Sequence, residues 1–271
     1  MYRSMLCSIL AMPAIVAAAH AAETAYPAKP IRLIVPFATG GGTDIVSRVM
    51  AQKVGDLFKQ AVVVDNRGGA GGVIGMEMSV RAAPDGYTMG IISGSIATTA
   101  ACCKLPYDPV RDIAPVSMIA ETGYLLTLHP GIPAKNVREL IAYAKANPGR
   151  INYGSSGTGS TQHLALEMFM TITGAKIIHV PYKGGFPALN DVVGGQIQML
   201  FSTLLQSDAQ RKAGRVRALA VTTKKRSQGA PDLPTMQEAG VAGYEVAGWY
   251  GVLAPAKTPR PIRSEERRVG K

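Results

Sequence analysis

The chain has 271 residues, 47% of them hydrophobic, and carries a formal net charge of +11. This length and apolar share argue for a sizeable folded core in one large domain or two small ones, and against a disordered chain. The basic residues are scattered, and the densest cluster, Lys224-Lys225-Arg226, lacks interleaved aromatics. The charge therefore argues against nucleic-acid binding, and it reads either as a field that steers anions toward a cleft or as a solvated surface.

The chain opens with Arg3, an apolar run from Met5 to Ala19 and the small-x-small triplet Ala19-His20-Ala21. That order predicts a secretory signal peptide over residues 1–21, and the run is short for a membrane anchor. Its removal takes Arg3 and Cys7 with it and lowers the net charge from +11 to +10. No later run reaches about 18 unbroken apolar residues, so a soluble mature protein is expected. Cys102 and Cys103 remain, read as two small apolar residues at a helix end. Neighbours in sequence pair only through a strained ring.

Strands and helices then alternate. Ile31–Pro36 reads as a strand and Thr43–Phe58 as a helix, capped by Thr43 or Asp44 and buried through Ile45, Val49, Val54, Leu57 and Phe58. Ala61–Asp65 is a strand, Gly68–Gly72 a turn, Val73–Ala82 a helix, Pro84-Asp85-Gly86 a turn and Tyr87–Ser93 a strand. Gly123–His129 is a strand bounded by Pro130 and Pro133. Val137–Ala146 is a helix stopped by Asn147-Pro148-Gly149. Strands follow at Ile151–Gly154, Ile177–Pro181, Gln198–Ser202 and Val216–Thr222, with a last extended stretch at Tyr244–Ala254. The alternation predicts an α/β fold with mostly parallel sheets flanked by helices.

Two glycine-rich turns each open a helix. One is Pro36-Phe37-Ala38-Thr39-Gly40-Gly41-Gly42-Thr43-Asp44, and the other is Tyr153-Gly154-Ser155-Ser156-Gly157-Thr158-Gly159-Ser160-Thr161. Helix N-termini present unpaired amides and partial positive charge, and glycine lets a ligand approach the backbone. Two such turns can grip a small anion from both sides. Catalytic signals are weaker. No Gly-x-Ser-x-Gly occurs, and His129, His163 and His179 stand outside any metal-ligand repeat. His163, on the first turn of its helix, reads as packing, capping or cleft-facing. Gly69-Ala70-Gly71 with Gly75 misses a dinucleotide fingerprint at Ile74, and no phosphate-loop lysine follows either turn. Neither a cofactor nor a metal is expected.

Several motifs in order carry a resemblance. They are Val35-Pro36-Phe37 with Gly40-Gly41-Gly42-Thr43-Asp44, Asp65-Asn66-Arg67-Gly68 with Gly69-Ala70-Gly71-Gly72 and Ile74-Gly75, Pro84-Asp85-Gly86-Tyr87-Thr88, and Leu105-Pro106-Tyr107-Asp108-Pro109. The serine-rich turn, Val180-Pro181-Tyr182-Lys183-Gly184 and Arg217-Ala218-Leu219-Ala220-Val221-Thr222 complete the set. Together, from about residue 26 to 260, the chain resembles the periplasmic solute-binding proteins of tripartite tricarboxylate transporters, the Bug family.

The resemblance implies a two-lobed clamshell, type II-like. Lobe one would span 24–124 plus 247–262, and lobe two 125–246. It implies a monomer that binds a di- or tricarboxylate or an aromatic acid, performs no chemistry and serves two membrane transporter subunits. One carboxylate would be held around Thr39, Gly40, Gly41, Gly42, Thr43 and Asp44 with Phe37 as an apolar wall. The other end would be held by Ser155, Ser156, Gly157, Thr158, Gly159 and Ser160. Ser93, Ser95, Tyr182, Lys183 and Gly184 would line the cleft, Ser202 would stand at a cleft-facing position, and His163, in its cleft-facing reading, joins the candidate ligand-binding residues. Thr39 and Gly69 replace frequent prolines. Ser202 replaces a frequent aspartate, which argues for a plain carboxylate over an amino acid. Lys183 reads as a sensor of a second negative charge or as a surface lysine. Residues 263–271 lack apolar periodicity and are expected to be a non-native tail that replaces helices completing lobe one. Lower stability than that of a complete member is expected to follow. The readings from other classes are a secreted α/β hydrolase of carboxylate esters and a ligand-sensing partner of a signalling receptor.

Overall fold

The structure, a computed structural model, describes residues 26–269. The expected signal peptide lies outside the described residues. Strand β1 (Ile31–Val35) is the first buried run, and β2 (Val62–Asn66) and β3 (Thr88–Ser93) pair with it in parallel. Two long strands follow a different course. β4 (Ile113–Leu128) and β9 (Ala247–Pro255) pair antiparallel from Ile113↔Pro255 to Gly123↔Ala247, and β9 also flanks β3 antiparallel. From Tyr124 onward β4 changes partners. It pairs antiparallel with β7 (Met199–Thr203) on one side and with β8 (Arg217–Val221) on the other. β5 (Asn152–Ser155) then pairs in parallel with β7 and with β6 (Ile178–Pro181). One mixed sheet results, ordered β2-β1-β3-β9-β4-β7-β5-β6. Its outer pairs are parallel, and its two crossing strands run antiparallel.

Each half has its own core. Leu33, Val35, Met89, Ile91 and Val252 fill the first. Leu126, Leu140, Tyr153, Phe169, Phe201 and Tyr244 fill the second. β4 is the long strand common to both halves, so a hinge is built into the sheet itself. The sequence reading began this strand at Gly123. Pro115 and two register shifts before Ala120 break the alternation that would have revealed its first half.

Eight helices cover the sheet among the described residues. They are α1 (Gly42–Phe58), α2 (Val73–Val80), α3 (Ser95–Cys102), α4 (Val137–Ala146), α5 (Thr161–Thr173), α6 (Gly185–Val193), α7 (Leu204–Lys212) and α8 (Arg260–Val269). The last runs into the stretch expected to be a non-native tail, and Ile262 packs on the first core. None of the described helices is long and apolar enough to cross a membrane.

Helix α1 departs from the expected face. Ser47 and Ala51 are buried, whereas Val49 and Leu57 are 59% and 61% exposed. The small residues let α1 lie close on the sheet, and this turns the larger ones outward. Its N-cap is Gly41, with no side-chain capping bond, rather than Thr43 or Asp44.

Candidate functional site

Five helices begin at one place between the two sheet halves. Their N-caps are Gly41 for α1, Gly94 for α3, Ser160 for α5, Gly184 for α6 and Thr203 for α7. Each follows a strand or a glycine turn, so the ends of the strands deliver the helix starts to a common cleft. No side-chain hydrogen bond caps α1, α3, α6 or α7. Their first-turn amides and dipoles are therefore aimed at the cleft, an arrangement that favours negative charge.

The cavity there is lined by Phe37, Gly41, Gly42 and Thr43 from the first loop, and by Ser93 and Ser95 after β3. Ser156, Gln162, Gly185, Thr203 and Gln206 come from the other half, and Tyr124 and Tyr250 from the crossing strands. No lysine, arginine, aspartate or glutamate is among these lining residues. The positive potential is that of the backbone. Burial pushes the Tyr124 phenol up to about 12, partly offset by a hydrogen bond to Thr161. Burial raises Tyr250 as well, against a hydrogen bond to Thr43. Both phenols are neutral hydrogen-bonding groups at physiological pH.

Two glutamines brace the walls. The Gln162 amide donates to Phe201 O at 2.6 Å while its Oε1 accepts from the Ser156 amide at 2.8 Å. Gln206 Nε2 donates to Gly185 O at 2.6 Å. Thr203 stands apart. It is 3% exposed, and its hydroxyl has no hydrogen-bond partner. A buried orphan hydroxyl costs about 1–3 kcal/mol, and this one faces the cavity.

The two halves are closed on each other. The Ala38 amide donates to Lys183 O at 3.0 Å, and the Thr161 amide donates to Ser95 Oγ at 3.2 Å. Gly71 and Gly157 have φ of +64° and +121°, and a methyl on either would press on the opposite backbone at 2.4–2.6 Å. The closed cavity holds about 30 Å³, room for roughly two or three waters. A carboxylate with a carbon skeleton enters only if the halves part.

Thus Phe37, Gly41, Gly42, Thr43, Ser93, Ser95 and Ser156 come together at the cavity wall. The other expected site residues lie around it. Thr39, Thr158 and the Lys183 side chain are exposed. Gly40 and Asp44 form a bracket behind the first loop. Asp44 Oδ2 accepts from the Gly40 amide at 2.9 Å and from Arg48 at 3.0 Å, and Oδ1 accepts from Asn66. Burial works against the Asp44 charge, but these bonds outweigh it and hold the carboxyl below its ordinary range. Gly157 and Gly184 make the backbone contact between the halves, against Gly71 and Ala38. Gly159, with φ +79°, meets Thr99 and the cysteines, and Ser160 caps α5. Tyr182 donates to Asp191 at 2.6 Å. Ser202 is fully buried between Thr127 and Ser207.

Ser155 and His163 belong to a cluster beneath the serine loop. Ser155 Oγ lies 2.6 Å from His179 Nε2, and the His179 ring stacks on His163 at 4.0 Å. Burial, then the neighbouring His163, lowers His179 to about 4. His163 Nδ1 accepts from the Gly159 amide at 3.2 Å. Ser155 is wholly buried, and its hydroxyl also accepts from the Gly157 amide. The pair fastens the loop and is closed to substrate. Sequence reasoning missed Tyr124, Gln162, Gly185, Thr203, Gln206 and Tyr250. Gln162 and Gln206 each fall in a helix's first turn, the one local signal that could have drawn notice.

A hinged α/β fold with helix N-termini facing a cleft between two lobes is the architecture of a solute-binding protein. The sequence profile of the tripartite tricarboxylate transporter family receptor (TctC) matches residues 46–265. The chain is 39% identical over 251 residues to protein BugT of Bordetella pertussis, covering 91% of this chain and 76% of the relative. The structure of Rpa4515 from R. palustris, solved with adipate, is 39% identical with a TM-score of 0.87, over 90% of this chain and 83% of that one. MatC (Rpa3494) from Rhodopseudomonas palustris, with bound malate, is 30% identical with a TM-score of 0.86, over 90% and 84%. The chain belongs to the tripartite tricarboxylate transporter receptor family, a family of periplasmic solute-binding receptors and not of enzymes.

Proposed function

We propose that this protein captures a small organic carboxylate between its lobes in the periplasm and delivers it, as a monomer, to the two membrane subunits of a tripartite transporter. The observation that carries the reading is the convergence of five helix N-termini on a cavity without charged side chains. One dipole gives a carboxylate roughly 0.3–1 kcal/mol, up to ~2 when partly buried. Several dipoles in a water-excluding cleft hold both ends of a diacid. The adipate and malate bound by relatives support a dicarboxylate in that size range. With no acidic side chain on the cavity wall, the amine of an amino acid would lack a counter-charge, which favours a plain acid.

In this reading residues 24–124 with 247–262 make lobe one and residues 125–246 make lobe two. The change of β4 partners between Gly123 and Tyr124 supports those bounds. Phe37, Gly41, Gly42, Thr43 and Ser95 serve one carboxylate, and Ser156 with Thr203 serves the other.

A thermal-shift screen against adipate, malate, succinate, citrate, glutamate and benzoate tests the reading. A ligand that binds only the folded form raises stability by RT ln(1 + [L]/Kd). A selective shift with one acid class is expected. A cooperative melt that no acid moves would overturn it.

A further inference from the structure

The adjacent cysteines lie on a contact between the lobes. Cys102 is the last residue of α3 and Cys103 its C-cap, and the Cys103 amide closes the final turn onto Thr99 O at 2.8 Å. Their Sγ atoms are 3.0 Å apart, with Cys102 exposed and Cys103 partly so. Gly159, in the serine loop of the opposite lobe, sits directly against them. A methyl built there would stand 2.8 Å from Cys102 Sγ and 3.2 Å from Cys103 Sγ. The pair is therefore reachable by a reagent and is also part of the surface on which the closed form rests.

We propose that Cys102 and Cys103 form a reversible vicinal disulfide that loosens the contact with Gly159 and weakens the closed form. This goes beyond the carboxylate reading and does not rest on it.

Consecutive Cα atoms stand about 3.8 Å apart, whereas disulfides ordinarily bridge about 4.4–6.8 Å. Bond formation draws the sulfurs from 3.0 Å to about 2.05 Å and distorts the peptide that ends α3. A ring between neighbours encloses no chain, so it gains none of the unfolded-state entropy that stabilises other disulfides. What the folded form alone bears is the misfit of that ring with the last turn of α3, where the Cys103 amide bonds to Thr99 O, and with Gly159. Strained, exposed disulfides are the labile ones.

The oxidant is a low-molecular-weight disulfide, RSSR. One cysteine thiolate attacks it, forming a mixed disulfide and expelling RS⁻. The second thiolate attacks the cysteine sulfur of that mixed disulfide and expels the other RS⁻. The two cysteines are oxidised, one RSSR is reduced, and the two thiol protons pass to the two RS⁻. The hydrogen bond to Cys103, with some burial, raises the Cys102 thiol above its ordinary value, so exchange quickens as pH rises.

The test uses the full chain with Cys7→Ser, equilibrated with oxidised and reduced glutathione. Intact mass, thiol titration and thermal midpoint are read at each ratio. The chain is expected to lose the mass of two hydrogens and both titratable thiols without retaining glutathione. Its midpoint should fall by about 2–4 °C, and dithiothreitol should restore all three. The added pair Cys102→Ser and Cys103→Ser should melt alike at every ratio. Retained glutathione with no ring, an oxidised form that melts with the reduced one, or a midpoint shift that survives in the double variant would each overturn the proposal.

Discussion

Replacing Gly42 with alanine separates folding from closure. Gly42 is the first residue of α1, and its N-cap and following residues already suit a helix. Alanine is favoured over glycine in a helix by about 0.5–1 kcal/mol, which offsets the one contact the methyl meets within its own lobe, 2.9 Å from the far end of the Tyr250 side chain at Oη. Across the cleft the contacts are closer and lie on a short side chain. A Cβ at Gly42 would lie 2.5 Å from Thr203 Oγ1 and 2.9 Å from Thr203 Cγ2. Ordinary contact begins at 3.4 Å, so the shortfall is 0.9 Å at the nearest atom and 0.5 Å at the other two. Rotating Thr203 moves one γ atom away and leaves the other near the methyl, because both now face it. Overpacking of this kind costs about 1–3 kcal/mol. The closed form alone bears the Thr203 part of it, and at about 1.4 kcal/mol per decade the ligand Kd rises about 5- to 150-fold. Titration calorimetry with the acid selected by the thermal screen measures the loss, and the unliganded melt measures the fold. Weaker binding beside an unchanged unliganded midpoint is expected. A Gly42→Ala protein that binds within twofold of the parent would refute the reasoning.

Three further outcomes follow from the same geometry. Thr203→Val removes an unpartnered buried hydroxyl. The unliganded midpoint should hold or rise, while carboxylate affinity falls about tenfold or more, since hydrogen bonds to charged groups are worth about 1.5–3 kcal/mol. Gly157→Ala places a methyl 2.6 Å from the Gly71 amide at a φ of +121°. It should lower both midpoint and affinity, and parent-like calorimetry of this variant would contradict the closed contact. His179 titrates near 4 when folded against about 6.5 unfolded. Between those values the unfolded chain binds more protons, so stability is lost as pH falls from about 6.5 toward 4. His179→Gln, which keeps a polar partner for Ser155, should flatten the dependence of the midpoint on pH in that window, and an unflattened profile would count against the assignment.

The parallel strands and the two glycine turns were legible because each is a local pattern. Ile31–Val35 is a buried apolar run, and the turn glycines precede helix starts. The crossing strand β4 was half hidden, because its bulges and Pro115 erase the period of two. The face of α1 was misjudged for a related reason. Side-chain size marked Val49 and Leu57 as core, but close packing on the sheet selects small Ser47 and Ala51. At the cleft, backbone-bearing positions were readable and side-chain direction was not. Asp44 and Ser202 look like ligand groups in a string of letters, yet both turn into hydrogen-bond networks behind the wall. Thr203, Gln206 and Tyr250 reach the cavity from separate strands and helices, and no spacing in the chain announces their meeting.

The central claim is that backbone dipoles in a closing cleft select negative charge. Titration of the full chain with the acid chosen by the screen, and with the neutral diamide of the same skeleton, tests it most directly. Emission from the sole tryptophan, Trp249, reports closure, because its indole lies beside the Gly94 turn that meets the opposite half: a methyl built on Gly94 would stand 3.5 Å from Trp249 Nε1 and 3.2 Å from Thr161 Oγ1. The diacid is expected to bind one per chain and change the emission, and the diamide to bind at least a hundredfold more weakly, the loss of about 3 kcal/mol that follows from removing charge at two helix-dipole contacts. Equal binding of acid and diamide would contradict it.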